Sequence, residues 1–164
     1  SDVYKRQIEP SWKIFEDFQT GGVPLALKRD ATDGVQSVHV DVSHPDEINT
    51  LFDPAIVYAK GSRLMHMLRR WIGDRDFAAG LRLYFEKHQY RNTIGRDLWN
   101  ALSDASGKDV AAFMDAWLEQ PGYPVLTARL ENDQLILSQK QFFIGEAKDH
   151  GRLWPIPLLS LIHI

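Results

Sequence analysis

Apolar residues recur at helical spacing from Ile8 to Glu119, and the pattern stops at Gln120-Pro121-Gly122-Tyr123-Pro124, where two prolines bracket a glycine. Spacings of three and four residues gather apolar side chains on one face of a helix. Proline lacks the N–H that would continue one and restricts the residue before it. The chain is therefore read as mainly α to about residue 120, with a boundary there and an extended exit beyond it. With 164 residues, 44% of them hydrophobic, it can bury roughly 70% of its unfolded surface, enough for one ordinary core plus a small annex.

Residues 11–31 read as one broken helix or two short ones, interrupted around Gly21, Gly22 and Pro24. Thr32 to Ser43 lose the pattern and read as a loop or a short extended stretch. A brief helical turn is expected over Asp46 to Phe52, and a longer helix from about Val57 to Ile72, with Leu64, Leu68, Trp71 and Ile72 along one stripe. Asp74 is expected to cap the next helix, whose inward stripe is Phe77, Leu81, Tyr84, Phe85 and His88. Thr93 is expected to cap a third, with Leu98, Ala101, Leu102 and Ala105 on one face and Gly107 ending it. Asp109 should open the last, turning Val110, Phe113, Met114 and Trp117 inward. Short loops between these helices make them antiparallel neighbours.

Past the boundary, Val125 to Leu130 and Gln134 to Gln139 alternate apolar with polar around Glu131-Asn132-Asp133, a hairpin pattern. A lone hairpin is marginal in water, so its sheet is expected to continue outside this chain. The two ends, Ser1 to Gln7 and Leu159 to Ile164, resemble translated sequencing adapter and are read as non-native extensions of a fragment. The expected organisation is thus 1–7 extension, 8–120 helical part, 121–158 start of a second domain and 159–164 extension.

The 19 lysines and arginines stand against 22 acids, a net charge of -3 with the signs interspersed. That leaves no basic face for nucleic acid and no polybasic stretch for a membrane surface. No apolar run reaches the roughly 18 residues of a spanning helix. Neither nucleic acid nor a membrane is expected as a partner. The absence of cysteine fits a reducing, cytoplasmic setting and removes thiol chemistry. Phosphate-loop, dinucleotide, nucleophile-elbow and His-Glu-x-x-His zinc patterns are also missing.

Among the six histidines, His39 and His44 lie five apart, and a metal site there would need Asp41 or Glu47 brought round to them. Two loop histidines is the plainer reading. His66 reads as a hydrogen-bonded mid-helix side chain, and His88 suits a helix end. The acid pairs Asp30 with Asp33, Asp46 with Glu47, and Asp115 with Glu119 have spacings open to acid and base work, but helical proteins scatter acids this way on solvated faces. Phe77, Leu81, Tyr84 and Phe85 read as core. One stretch differs. Phe52-Asp53-Pro54-Ala55-Ile56-Val57-Tyr58-Ala59-Lys60-Gly61 puts a tyrosine at the mouth of a helix, where a phenol can project into a cleft and donate to a developing oxyanion. The residues alone favour Tyr58 packing against Trp71 or Phe52.

Pro45, Glu47-Ile48, Phe52-Asp53 and Tyr58-x-Lys60-Gly61 together resemble the M1 family of zinc aminopeptidases, of the aminopeptidase N type with a gluzincin, thermolysin-like catalytic domain. A second segment agrees: Asp115-Ala116-Trp117-Leu118-Glu119-Gln120-Pro121-Gly122-Tyr123-Pro124-Val125 resembles the family's exit from that domain. Asp97-Leu98-Trp99 and the Ser106-Gly107 helix end fit as well, and the resemblance runs over about residues 8–158. The wording of Asp30 to His39 is similar to the cytoplasmic members from lactic acid bacteria. Val40 departs from the pattern, since many relatives have proline after the histidine at the position of His39.

The resemblance implies a metallopeptidase that hydrolyses N-terminal residues from peptides. Residues 8–120 would be the C-terminal helical half of the catalytic domain. Residues 121–158 would be the first strands of a β-sandwich, with Trp154 to Leu158 in a later strand. It implies zinc in the full-length parent, with the metal ligands in an upstream half of the domain and none in this chain. Tyr58 matches the family tyrosine that steadies the tetrahedral oxyanion and is the one catalytic residue carried over. Lys60 and Gly61 are read as supports, the lysine pairing with a nearby acid and the glycine allowing close packing. The resemblance assigns no substrate-binding residue. Two alternatives remain open: a non-catalytic helical interaction module with a structural Tyr58, and a relative with epoxide hydrolase activity. The isolated chain is expected to be inactive.

Overall fold

The computed structural model describes residues 8–158. The stretches read as extensions, 1–7 and 159–164, lie outside the described residues. A 3-10 turn at Pro10–Trp12 leads into α1 (Ile14–Asp17), which continues through a wide π-helical turn, Phe18–Gly22, into α2 (Val23–Asp30). The expected interruption around the glycines is thus a loosening of one continuous helix. Pro24 lies where the π turn passes into α2, and its missing N–H removes one bond from the continuous helix at that point.

Thr32 to Ser43 form an irregular loop, and Pro45–Glu47 and α3 (Ile48–Leu51) make the short helical step expected after Pro45. A second π-helical turn, Ala55–Lys60, feeds directly into α4 (Gly61–Ile72). The core-facing α4 residues Leu64, Leu68 and Ile72 recur every four positions, as the periodicity demands. α5 (Asp74–His88) and α6 (Gly95–Ser106) follow and pack against each other. α7 (Val110–Leu118) completes the bundle and buries Val110, Phe113, Met114 and Trp117 as its spacing predicts. Asp109 caps it, its Oδ1 accepting from the Ala112 N–H at 3.0 Å. Gly107, at φ 67°, ends α6 in a left-handed conformation.

Three expectations fail locally. Asp74 is the first residue of α5 and is engaged by Arg69 Nε at 2.8 Å, the cap position being Gly73. Thr93 does not cap α6, which begins at Gly95 with Ile94 in the cap position; the Thr93 hydroxyl lies 2.7 Å from Tyr84 Oη, and Asp97 reaches back to accept from the Ile94 N–H. Phe85 is 62% exposed, and Gly80 is the buried residue of α5. The reason is a close crossing. A Cβ on Gly80 would lie 2.7 Å from Leu102 Cδ2 and 2.9 Å from Leu102 Cα, so α6 approaches α5 through the glycine notch and leaves Phe85 off the contact.

β1 (Pro124–Glu131) and β2 (Gln134–Gln141) pair antiparallel, with Glu131 opposite Gln134. Asn132 and Asp133 form the two-residue turn, at φ 49° and 58°, the left-handed pair that matches strand twist. The sheet has two strands among the described residues. Residues 154–158 were expected in a later strand and are irregular, since Pro155 and Pro157 offer no N–H to a ladder. Trp154 nonetheless enters the main core beside Trp117, ring centroids 6.1 Å apart, and Gln139 holds its backbone through both amide atoms, at 2.9 and 3.0 Å. The segment after the boundary therefore shares the helical core.

Candidate functional site

Tyr58 sits in the middle of the Ala55–Lys60 π-helical turn and is 66% exposed. A π turn widens the helix for one turn and occurs often at functional sites. The Phe52 ring meets the tyrosine edge-on at 5.5 Å, which selects Phe52 over Trp71 as its packing partner. Trp71 instead stacks on Phe113 at 4.4 Å. The hydroxyl end of Tyr58 is left facing outward.

Both flanks of the turn are anchored to α2. On the N-terminal flank, Asp53 Oδ1 accepts from the Ala55 N–H at 3.0 Å, and the Asp53 carbonyl accepts from Ile56 and Val57 at 3.0 and 2.8 Å. Asp53 Oδ2 accepts from Arg29 Nε at 2.5 Å, and this bond above all holds the Asp53 carboxyl below its usual pKa. On the C-terminal flank, Lys60 Nζ lies 2.7 Å from Asp30 Oδ2, with side-chain exposures of 7% and 3%. The expected acid partner of Lys60 is therefore Asp30. Burial pushes the Lys60 ammonium down against the opposing pull of Asp30.

The same pair grips the boundary. Lys60 Nζ also donates to the Gly122 carbonyl at 3.0 Å, and Asp30 Oδ1 accepts from the Gly122 N–H at 2.8 Å. Gly122 stands at φ 91°, and a Cβ there would run into Gln141 Nε2 at 2.3 Å. Gly61, read as a close-packing position, has only ordinary clearance, with Ile56 O at 3.9 Å and Val38 Cγ1 at 4.0 Å from a built Cβ.

The acid pairs dissolve into ion pairs. Asp30 serves Lys60, while Asp33 lies 3.5 Å from His150 Nε2. Asp115 takes Arg96, and Glu119 takes His39 Nδ1 at 2.8 Å, which raises the His39 pKa. Glu47 turns back to accept from the Ser43 and His44 N–H groups. His39 is thus engaged by Glu119 and His44 by Asp46, at 3.4 Å, and among the described residues no three His, Asp or Glu side chains gather to hold a metal. No helix of the described residues is long and apolar enough to cross a membrane.

Sequence reading missed Arg29, Asp30 and Asp53 as the supports of the Tyr58 turn. Asp53 had a local signal, an Asp-Pro placed two residues before a helix N–H, which is the geometry of an Asx turn. Arg29 and Asp30 had none, lying 24 and 30 residues from their partners.

Residues 3–117 match the peptidase family M1 domain. The chain belongs to the M1 peptidase family. It is 78% identical over 152 residues to an aminopeptidase N of Lactococcus lactis subsp. lactis and 56% identical over 151 residues to one of Lactobacillus delbrueckii subsp. lactis. It is also 39% identical over 150 residues to tricorn protease-interacting factor F2 of Thermoplasma acidophilum. These matches cover 90–92% of this chain, and the chain spans 18% of the length of each relative. In this chain the Tyr58 turn, its two anchors and the Gly122 boundary form one connected unit.

Proposed function

We propose that this chain is a section of a metallo-aminopeptidase that removes N-terminal residues from peptides, and that the Tyr58 hydroxyl stabilises the tetrahedral oxyanion by donating a hydrogen bond to it. The observation that carries the reading is the exposed phenol on an anchored π-helical turn, within a chain 78% identical to an aminopeptidase N. The oxygen of an attacked peptide carbonyl gains negative charge, and a donor aimed at it stabilises the transition state more than the ground state. Tyr58 holds that donor in place and abstracts no proton. Zinc, which the family resemblance implies, supplies the activated water in such enzymes. The described residues do not fit a zinc site, so its ligands belong to other parts of the protein and no step at the metal is assigned to this chain.

The same reading makes 8–120 the C-terminal helical part of a gluzincin-type catalytic domain and 121–158 the start of a β-sandwich. Leu126, Leu130, Leu135 and Val125, exposed along both strands of the hairpin, support a sheet that is covered in the whole protein. The absence of cysteine supports a cytoplasmic setting. On this reading the isolated chain is inactive, having no nucleophile for its phenol to assist.

The test uses a full-length enzyme in which residues 8–158 replace the matching section of the 78% identical Lactococcus aminopeptidase N. Tyr58→Phe is expected to lower kcat roughly 100- to 1000-fold with KM and zinc content unchanged, as for loss of one oxyanion donor. A kcat within about threefold of the parent would withdraw the role of Tyr58.

A further inference from the structure

Arg29 and Asp30 are consecutive residues of opposite charge at the end of α2, and they take hold of opposite flanks of the turn that carries Tyr58. Asp30 works from the buried side, through Lys60. Arg29 works from the solvent side: its side chain is 47% exposed, and its target Asp53 is 19% exposed. Asp53 in turn is bonded through Oδ1 and its carbonyl to the three N–H groups that open the turn. The Arg29 guanidinium thus fixes the carboxylate that holds the Ala55 N–H, two residues ahead of it, while the carbonyl of the same aspartate holds the next two N–H groups, immediately before Tyr58.

The phenol itself is 66% exposed. Its ring meets one aromatic neighbour edge-on, Phe52, which is 45% exposed and lies next to Asp53 in the chain. The turn that carries Tyr58 lies between the two anchors, so where its hydroxyl points depends on them. A half-exposed ion pair adds little to folding stability, yet a displacement of about 1 Å at a reacting centre costs up to roughly a hundredfold in rate. An anchor of this kind is poor at holding a fold and well suited to aiming a side chain.

We propose that Arg29, acting through Asp53, is a positioning residue that aims the Tyr58 hydroxyl at the oxyanion. The proposal rests on the role given to Tyr58 above. It assigns Arg29 no contact with substrate.

The experiment is a double-mutant cycle in the full-length chimeric enzyme, with Arg29→Gln, Tyr58→Phe and the double variant, and with Arg29→Lys as the conservative control. Arg29→Gln is expected to lower kcat about tenfold with KM unchanged, and to leave the thermal midpoint and zinc content as they were. Arg29→Lys, which keeps the charge, recovers part of the loss. In the Tyr58→Phe background Arg29→Gln has no further effect, because there is no hydroxyl left to aim. Equal losses from Arg29→Gln in both backgrounds would overturn the proposal, as would a fall in thermal midpoint with kcat intact, which marks a purely structural pair. If Tyr58→Phe alone leaves kcat untouched, the Tyr58 role fails first and takes the proposal with it; if Tyr58→Phe is slow and Arg29→Gln is not, only the proposal falls.

Discussion

Lys60 Nζ lies 2.7 Å from Asp30 Oδ2 in the interior, and the two side chains are joined to both backbone atoms of Gly122 that can hydrogen-bond. Three segments distant in the chain, the end of α2, the Tyr58 turn and the exit from the last helix, therefore meet at one buried ion pair. The glycine supplies both a donor and an acceptor because its left-handed conformation turns its two peptide groups toward the pair.

Removing one partner of this pair is expected to be costly. Lys60→Met leaves the Asp30 carboxylate buried with the Gly122 N–H as its remaining partner, a loss of roughly 3–5 kcal/mol. Urea unfolding of the chain measures it. The double variant with Asp30→Asn should lose less than the sum of the two single changes, since the second change then removes no uncompensated charge.

Gly80→Ala sets two effects of opposite sign against each other. Alanine raises helix propensity by about 1 kcal/mol. The new methyl would press on Leu102 Cα at 2.9 Å, an atom of the α6 backbone that no rotamer change can move, and overpacking of this kind costs about 1–3 kcal/mol. Net destabilisation is expected, read as a lower urea midpoint. A rise would show that α5 and α6 separate without cost.

Trp154 tests whether the segment after the boundary belongs to the helical core. It is 2% exposed, and its truncation to alanine should cost about 3–5 kcal/mol, in the range of a central core aromatic. Trp154→Phe should cost clearly less, because the indole N–H has no acceptor among the described residues and its loss forfeits no bond. Circular dichroism of the helices during urea unfolding separates the two variants.

The His39–Glu119 pair gives stability a pH dependence of known sign. The hydrogen bond to Glu119, then the charges of Glu119, Asp41 and Asp115, raise the His39 pKa above 6.5 in the folded chain against some desolvation. The contribution is therefore complete below the unfolded value of about 6.5 and is lost as pH rises through the higher folded value. Both side chains are 57% exposed, so solvent screening limits it to about 0.2–1 kcal/mol. The thermal midpoint of the chain relative to Glu119→Gln should thus be higher at about pH 5.5 than at about pH 8.5, and a constant difference would show that the imidazole does not titrate with folding.

The local devices were legible in the sequence. Asp109 before an apolar run, Gly107 after one, the four-residue recurrence of Leu64, Leu68 and Ile72, and Asn-Asp between alternating strands each act over five residues or fewer. The bonds they predict are formed within that span, so the pattern and the cause occupy the same stretch of chain. The Tyr58 motif was legible for a different reason, as wording shared with a family, and its neighbours Phe52 and Lys60 stood in the same motif.

Tertiary structure decided what each local device meets. His39 finds Glu119 across 80 residues and Gly122 finds Asp30 across 92, distances over which no periodicity carries information. Phe85 lies on the helical stripe that should be core, yet it is exposed, because the depth of the Gly80 notch and not the stripe sets where α6 crosses α5. Thr93 stands one residue ahead of the cap position, Ile94, and its hydroxyl meets Tyr84 instead. Helix and turn are determined by short-range geometry that the sequence states directly; which charge is buried against which, and which face is covered, depends on how those elements pack once all of them exist.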